Sequence, residues 1–183
     1  MEHLPAEQKI CISCGFCCNG TLFDKAVLHP DEKKHLPETL RATCYTKEGR
    51  DFMKLPCPFF TNMCSIYAST RLEICSAFSC RLLTDLEKEL ISADTAATII
   101  VSAKSQLESL YEPAQVLFDP GEKVYFREIQ ERLKSIPEDT YDDRIKVLKF
   151  QCNIMEALLS RHFKHEDDFN SMVIHEHQNA SAG

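Results

Sequence analysis

Glycine is scarce, with only five in 183 residues. So few leave no glycine-rich loop to cradle a phosphate, which removes the common nucleotide-binding signatures. Long apolar runs are missing too. The longest candidate, Ala96 to Ala103, is interrupted by Thr98 and Ser102 and falls well short of the roughly 18 residues that span a bilayer. Basic charge is in deficit, with a net charge of −7 and a pI near 5.5. Lys33-Lys34 and the other cations lie among carboxylates and form no basic stripe, so no nucleic-acid partner is expected. Ser-His-Asp patterning, paired-acid motifs, HExxH and the C-x3-C-x2-C run of radical enzymes are all absent. The opening residues, Met1-Glu2-His3-Leu4-Pro5-Ala6-Glu7, carry neither the basic nor the apolar region of a secretory signal. The expected address is cytoplasmic, without a membrane partner.

What the chain does have is cysteine, ten in all. In a reducing compartment such clusters act as metal ligands or redox groups rather than disulfides. Cys11-Ile-Ser-Cys14-Gly-Phe-Cys17-Cys18 puts four thiols into eight residues. Close-spaced thiolates repel one another until a soft cation or an iron–sulfur core neutralises them. The C-x2-C-x2-C spacing of Cys11, Cys14 and Cys17 suits three corners of a cubane. Zinc fits the spacing less directly, because its structural sites favour two separated two-cysteine knuckles, yet tetrahedral four-thiolate geometry suits either metal. Adjacent Cys17 and Cys18 tend to point apart. Either Cys18 serves a second site or it is a redox thiol beside the first. With Cys57, Cys64, Cys75 and Cys80 the chain has eight clustered cysteines, enough for two four-ligand sites or for one with spare thiols.

The string C-x2-C-G-F-C-C is followed by C-P-F-F from Cys57, C-S-I-Y from Cys64, then Arg71 and C-x4-C from Cys75. It resembles the CxxCxxCC cysteine-cluster family, described as zinc- or iron-chelating and often labelled iron–sulfur oxidoreductase. The resemblance covers about residues 11–82. It implies that Cys11, Cys14, Cys17, Cys18, Cys57, Cys64, Cys75 and Cys80 are the chelating set. The chain departs from the family at Arg71-Leu72, where Arg-Pro is usual, and at Ser76, where Arg is common.

Other candidates read more plainly. Cys152 lies on an apolar helix face and is expected to be a small buried residue. Cys44 stands outside the family pattern as a reserve ligand. His162-x2-His165 closes a helix, where histidine is favoured anyway, and His175-x-His177 lies in the tail. Phe16, Phe59, Phe60 and Phe78 are expected to keep water off the site. Arg71 is expected to donate to a thiolate or sulfide, or to pair with Glu73.

The expected fold is mostly α. A small cysteine-rich domain of loops and short helices (1–82) precedes a two- to three-helix region (83–165) and a disordered tail (166–183). Residues 1–10 read as a lead-in, 21–28 as an extended segment and Pro30–Leu36 as one or two helical turns. Residues 38–54 read as a loop or hairpin turning at Gly49. A long helix is expected from the capping box Thr84-Asp85-Leu86-Glu87 to just before Pro113. After a turn at Pro120-Gly121 comes a second helix with Val124, Ile129, Leu133 and Ile136. A third is capped by Thr140-Tyr-Asp-Asp143 and presents Ile145, Leu148, Cys152, Met155, Leu159 and Phe163. Two functions follow from these features. One is an iron–sulfur protein with an oxidoreductase or electron-transfer role and a redox partner; the other is a structural zinc module acting as an adaptor.

Overall fold

The computed structural model describes residues 4–69, 71–118 and 124–165. In chain order these form α1 (Ala6–Cys14), β1 (Lys25–Val27), α2 (Glu32–His35), α3 (Glu38–Arg41), β2 (Cys44–Lys47) and β3 (Arg50–Lys54). There follow α4 (Glu73–Ala77), α5 (Arg81–Glu87), α6 (Ala93–Phe118), α7 (Phe126–Lys134) and α8 (Asp143–His162). The described chain is mostly helical, as the periodicity implies. The turn at Pro120-Gly121, the tail and its histidine pair lie outside the described residues.

Helices α6 and α8 pack along each other, with α7, α5 and α1 against them. Ile100, Ala103, Leu107 and Leu110 face Leu148, Cys152, Met155 and Leu159, all buried at the expected three- and four-residue steps. Each such aliphatic side chain taken out of water contributes about 1.5–3 kcal/mol. Phe16, Leu22, Cys80 and Leu82 belong to this same core, so it runs on into the cysteine-rich segment. A second, smaller core of Leu28, Leu36, Leu40, Met53 and Leu72 lies beside the antiparallel sheet, whose order is β1-β3-β2. The hairpin turns at Glu48 (φ 52°) and Gly49 (φ 74°) between paired Lys47 and Arg50. Two consecutive positive φ angles match the twist of the flanking strands, and glycine adopts one of them freely.

Several expectations fail at helix ends. Residues 6–10 belong to α1 rather than to a lead-in. Pro5 occupies the N-cap position, Glu7 sits in the first turn, and Lys104 Nζ donates to the Ser13 carbonyl at 2.6 Å. That donor satisfies one of the last-turn carbonyls that would otherwise lack a partner. Helix α2 starts at Glu32, because Asp31 (φ 67°) takes a left-handed conformation ahead of it. The Thr84 capping box does not form. Thr84 lies inside α5, which stops where Leu90 N donates to Asp85 O (2.8 Å) and Glu89 N donates to Leu86 O (3.0 Å). Those two bonds close a Schellman turn around Glu89 (φ 57°), a place usually held by glycine. Ser92 caps α6 instead, its Oγ accepting from Thr95 N at 3.1 Å. Helix α6 also runs through Pro113 to Phe118. The lost amide and the ring clash cost about 3 kcal/mol, but Leu107, Leu110 and Ala114 are buried around the proline and hold the helix on its packing. At α8 the cap is Asp142, whose carboxylate accepts from Ile145 N at 2.9 Å.

A charged knot pins α7 and α8 to the loop after the first cysteine cluster. Arg127 donates to Glu156 (2.7 Å) and to the Leu22 carbonyl (3.0 Å), and Lys164 donates to Glu156 from a nearly buried position. Burial alone pushes the Glu156 carboxyl up, but the Lys164 hydrogen bond and the Arg127 charge outweigh it and hold it below the ordinary glutamate value. A carboxylate held low contributes stability that is present at neutral pH and disappears as pH falls through its titration. Glu156→Ala removes the carboxylate that Arg127 and Lys164 share and should cost about 2–4 kcal/mol in urea unfolding at pH 7. The gap to the parent protein should narrow in acid.

Candidate metal centre

Helix α1 carries Cys11 and Cys14 one turn apart, which places them on one face. Gly15 (φ 77°) ends the helix in the left-handed conformation, and the Cys18 and Asn19 amides return to its carbonyl at 2.9 and 2.8 Å. The chain folds tightly enough there for Cys17 and Cys18 to follow within one turn. Cys57 donates its amide to the Cys18 carbonyl at 2.7 Å, which brings the second cysteine segment beside the first. A bridge pairs Phe60 with Cys64, α4 carries Cys75, and Cys80 stands at the N-cap position of α5. Glu32 fixes α4 from outside the segment. Its two oxygens accept from the Glu73 amide (2.6 Å) and the His29 amide (2.9 Å).

Electrostatic neighbourhoods sort the eight thiols into two quartets. In the first, Cys17 feels Cys80, Cys14 and Cys11; Cys14 feels Cys80 and Cys11; Cys80 feels Cys11. In the second, Cys18 feels Cys75, Cys64 and Cys57; Cys75 feels Cys57 and Cys64; Cys57 feels Cys64. Every pair within each quartet is therefore coupled. Cys17–Cys18, Cys11–Cys18 and Cys11–Cys64 run between the two groups.

Burial dominates the chemistry of these thiols. It pushes Cys14 up to about 12 and Cys80 and Cys75 up to about 11, with Cys17 and Cys18 well above the ordinary thiol value. Backbone amides oppose this at three places: Phe16 at Cys14, Phe59 at Cys57, and Leu83 with Leu82 at Cys80. Cations oppose it at others. Lys104 acts on Cys14, and Arg71 acts on Cys11 and Cys75. Amides and cations aimed at sulfur favour the thiolate, the form that ligates metal.

Among the described residues, no three Cys, His, Asp or Glu side chains are gathered into a group able to hold a metal ion as they stand. The quartets are neighbourhoods rather than coordination spheres. The donor set itself, all sulfur with amide and cationic support, suits zinc or an iron–sulfur core.

Of the remaining candidates, Cys44 donates to the Leu40 carbonyl at 3.2 Å, and its charged neighbours are Lys33, Asp51 and Glu32 rather than thiols. Cys152 is buried in the helical core beside Glu156. His165 Nε2 lies 3.3 Å from Thr84 Oγ1, and the charged neighbours of His162 are Arg161, Arg81 and Asp85 on α8 and α5.

 Phe16 sits in the core, edge-on to Phe163 at 5.1 Å, and Phe78 meets Phe23 at 5.3 Å. Arg71 lies over the Tyr67 ring at 4.0 Å, which fixes its charge beside the thiols. Lys104 and Glu32 were not legible as site residues. They come from 90 residues after Cys14 and 43 before Cys75, and no local motif marks them.

Gly15 is sterically required. A Cβ built there falls 1.9 Å from the far carbon of the Phe60 ring. Gly15→Ala adds a left-handed penalty of about 1–2 kcal/mol and pushes Phe60 off the site. We expect a lower urea midpoint and weaker metal retention, measured side by side.

The chain matches no known family model, no curated protein and no solved structure.

Proposed function

We propose that the protein binds metal through Cys11, Cys14, Cys17, Cys18, Cys57, Cys64, Cys75 and Cys80, as a member of the CxxCxxCC type. The observation that carries this reading is the gathering of thiols from separate chain segments: Cys11, Cys17, Cys18, Cys57, Cys64 and Cys75 line one cavity, and Cys14 and Cys80 pack in the core with Cys17. Buried thiols stay neutral by themselves, and a soft metal would stabilise the thiolate form that ligates it. The Cys11-x2-Cys14-x2-Cys17 spacing favours an iron–sulfur cluster and with it a redox or electron-transfer role in a reducing, cytoplasmic setting. Among the described residues, no helix is long and apolar enough to cross a membrane. When bound, an iron–sulfur core would supply one-electron chemistry, while the chain's own residues hold the sulfurs, screen them with Phe60 and Phe78, and place the Arg71 and Lys104 charges beside them.

A second reading has one observation in its favour. Val147, Phe150 and Ile154 are exposed along the outer side of α8, a surface suited to an adaptor held in shape by structural zinc.

Anaerobic purification with metal and acid-labile sulfide analysis separates these readings. Brown protein containing iron and sulfide supports the redox reading. Colourless protein with stoichiometric zinc and no sulfide supports the adaptor, and protein free of both metals contradicts the metal reading altogether.

A further inference from the structure

We infer that the eight thiols make two distinct four-thiolate centres, an inner one of Cys11, Cys14, Cys17 and Cys80 and an outer one of Cys18, Cys57, Cys64 and Cys75, and that the outer one exchanges its metal first. The inference rests on the metal-binding reading and divides it.

Three observations carry the division. The first is the backbone. Cys17 and Cys18 are consecutive, and consecutive side chains diverge, so one position serves each quartet. The second is packing. Cys80 is part of the helical core, with Cys14 and Cys17 packed against it. Cys57 packs instead on the small core beside the sheet, as do Phe59, Ile66 and Ile74. The two groups are thus rooted in different parts of the fold. The third is access. Cys80 is buried and Cys75 is exposed. A cavity of about 100 Å³ is lined by all four outer cysteines, with Cys11 and Cys17 reaching it from the inner quartet.

These placements give the centres unlike properties. The inner quartet is backed by α1, α5 and α6, so opening it disturbs the main core. Its metal would hold the cysteine segment onto the helices and leave slowly. The outer quartet draws on the loop after α1, the Cys57–Cys64 segment and α4, a helix of only five residues. Its metal can leave when that short helix shifts, without unpacking the helical core. Cys11 and Cys17 line the cavity together with the outer cysteines and so mark where the two centres approach.

Metal analysis of anaerobically purified protein, followed by timed removal with EDTA in the presence of a thiol reductant, tests this. Two equivalents of zinc, or two four-iron clusters, are expected, lost in two phases. Cys75→Ser and Cys57→Ser should each halve the metal and abolish the fast phase. Cys14→Ser should halve it and keep a fast phase. Loss in a single phase, or loss of all metal from every one of these variants, would show one shared centre and overturn the division while leaving the metal reading intact. Cys57→Ser guards against a Cys75→Ser protein that fails to fold, and the wild-type stoichiometry stands independently of both. Wild-type protein without metal overturns the division and the metal reading together.

Discussion

Cys14→Ser should lose half of the metal, that of the inner centre, and destabilise the fold more than any single cavity in the helical core. The thiol sits at the last position of α1, with the Phe16 amide directed at it and the Lys104 charge acting on it, and its thiol neighbours are Cys80 and Cys11. A serine hydroxyl is a hard, neutral donor at pH 7 and does not replace a soft thiolate. Structural four-ligand zinc sites bind with about 10–16 kcal/mol in small peptides, comparable with the whole stability of an ordinary domain at about 5–15 kcal/mol. Because binding energy at such a site is also folding energy, losing even part of it exceeds the roughly 2–5 kcal/mol of a large-to-small core change. Metal content and thermal unfolding should therefore fall together. Cys152→Ala is the control. Its thiol lies in the helical core beside Glu156, so stability should drop modestly and metal content should not change. Unchanged metal and melting in Cys14→Ser would show that the ligand assignment is wrong.

Phe163→Ala should have the next largest effect. Phe163 is 1% exposed, and its ring meets Phe16 at 5.1 Å with planes 71° apart. Its carbonyl accepts the Arg81 amide at 3.3 Å, next to Cys80. One residue at the end of α8 thus braces both cysteine segments. Truncating a buried phenylalanine costs about 3–5 kcal/mol, and the edge-on pair is worth a further ~1 kcal/mol. We expect that loss in urea unfolding, with faster removal of metal by chelator. Phe150→Ala, on the exposed side of the same helix, should change stability by no more than about 0.5 kcal/mol. Equal effects at the two positions would contradict the packing described.

The helices of the second half were legible because their burial follows a period. Ile145, Leu148, Cys152, Met155 and Leu159 are buried in the order the sequence implies. What escaped notice was held by contacts between distant residues. Helix α1 has no capping side chain and one buried residue, Ile12, and its last turn is completed by Lys104 from α6. The α5 stop uses Glu89 in a position where glycine would have announced it. Pro113 stays helical because the packing around it outweighs a local cost.

At the site, the Cys17-Cys18 doublet signalled that two directions are needed. Which cysteine joins which quartet was not legible, because Cys80 is 62 residues from Cys18 and Cys57 only 39, yet Cys80 couples to the earlier thiols and Cys57 to Cys18. Spacing along the chain does not encode that exchange. It follows from the Cys57 amide meeting the Cys18 carbonyl and from α5 packing on α1.

The central claim is that cysteine sulfur ligates the metal. X-ray absorption at the metal edge, on protein purified anaerobically, tests it most directly. A first shell of sulfur alone is expected, at about 2.3 Å if the metal is zinc. A first shell of nitrogen or oxygen, or no metal to measure, would contradict it.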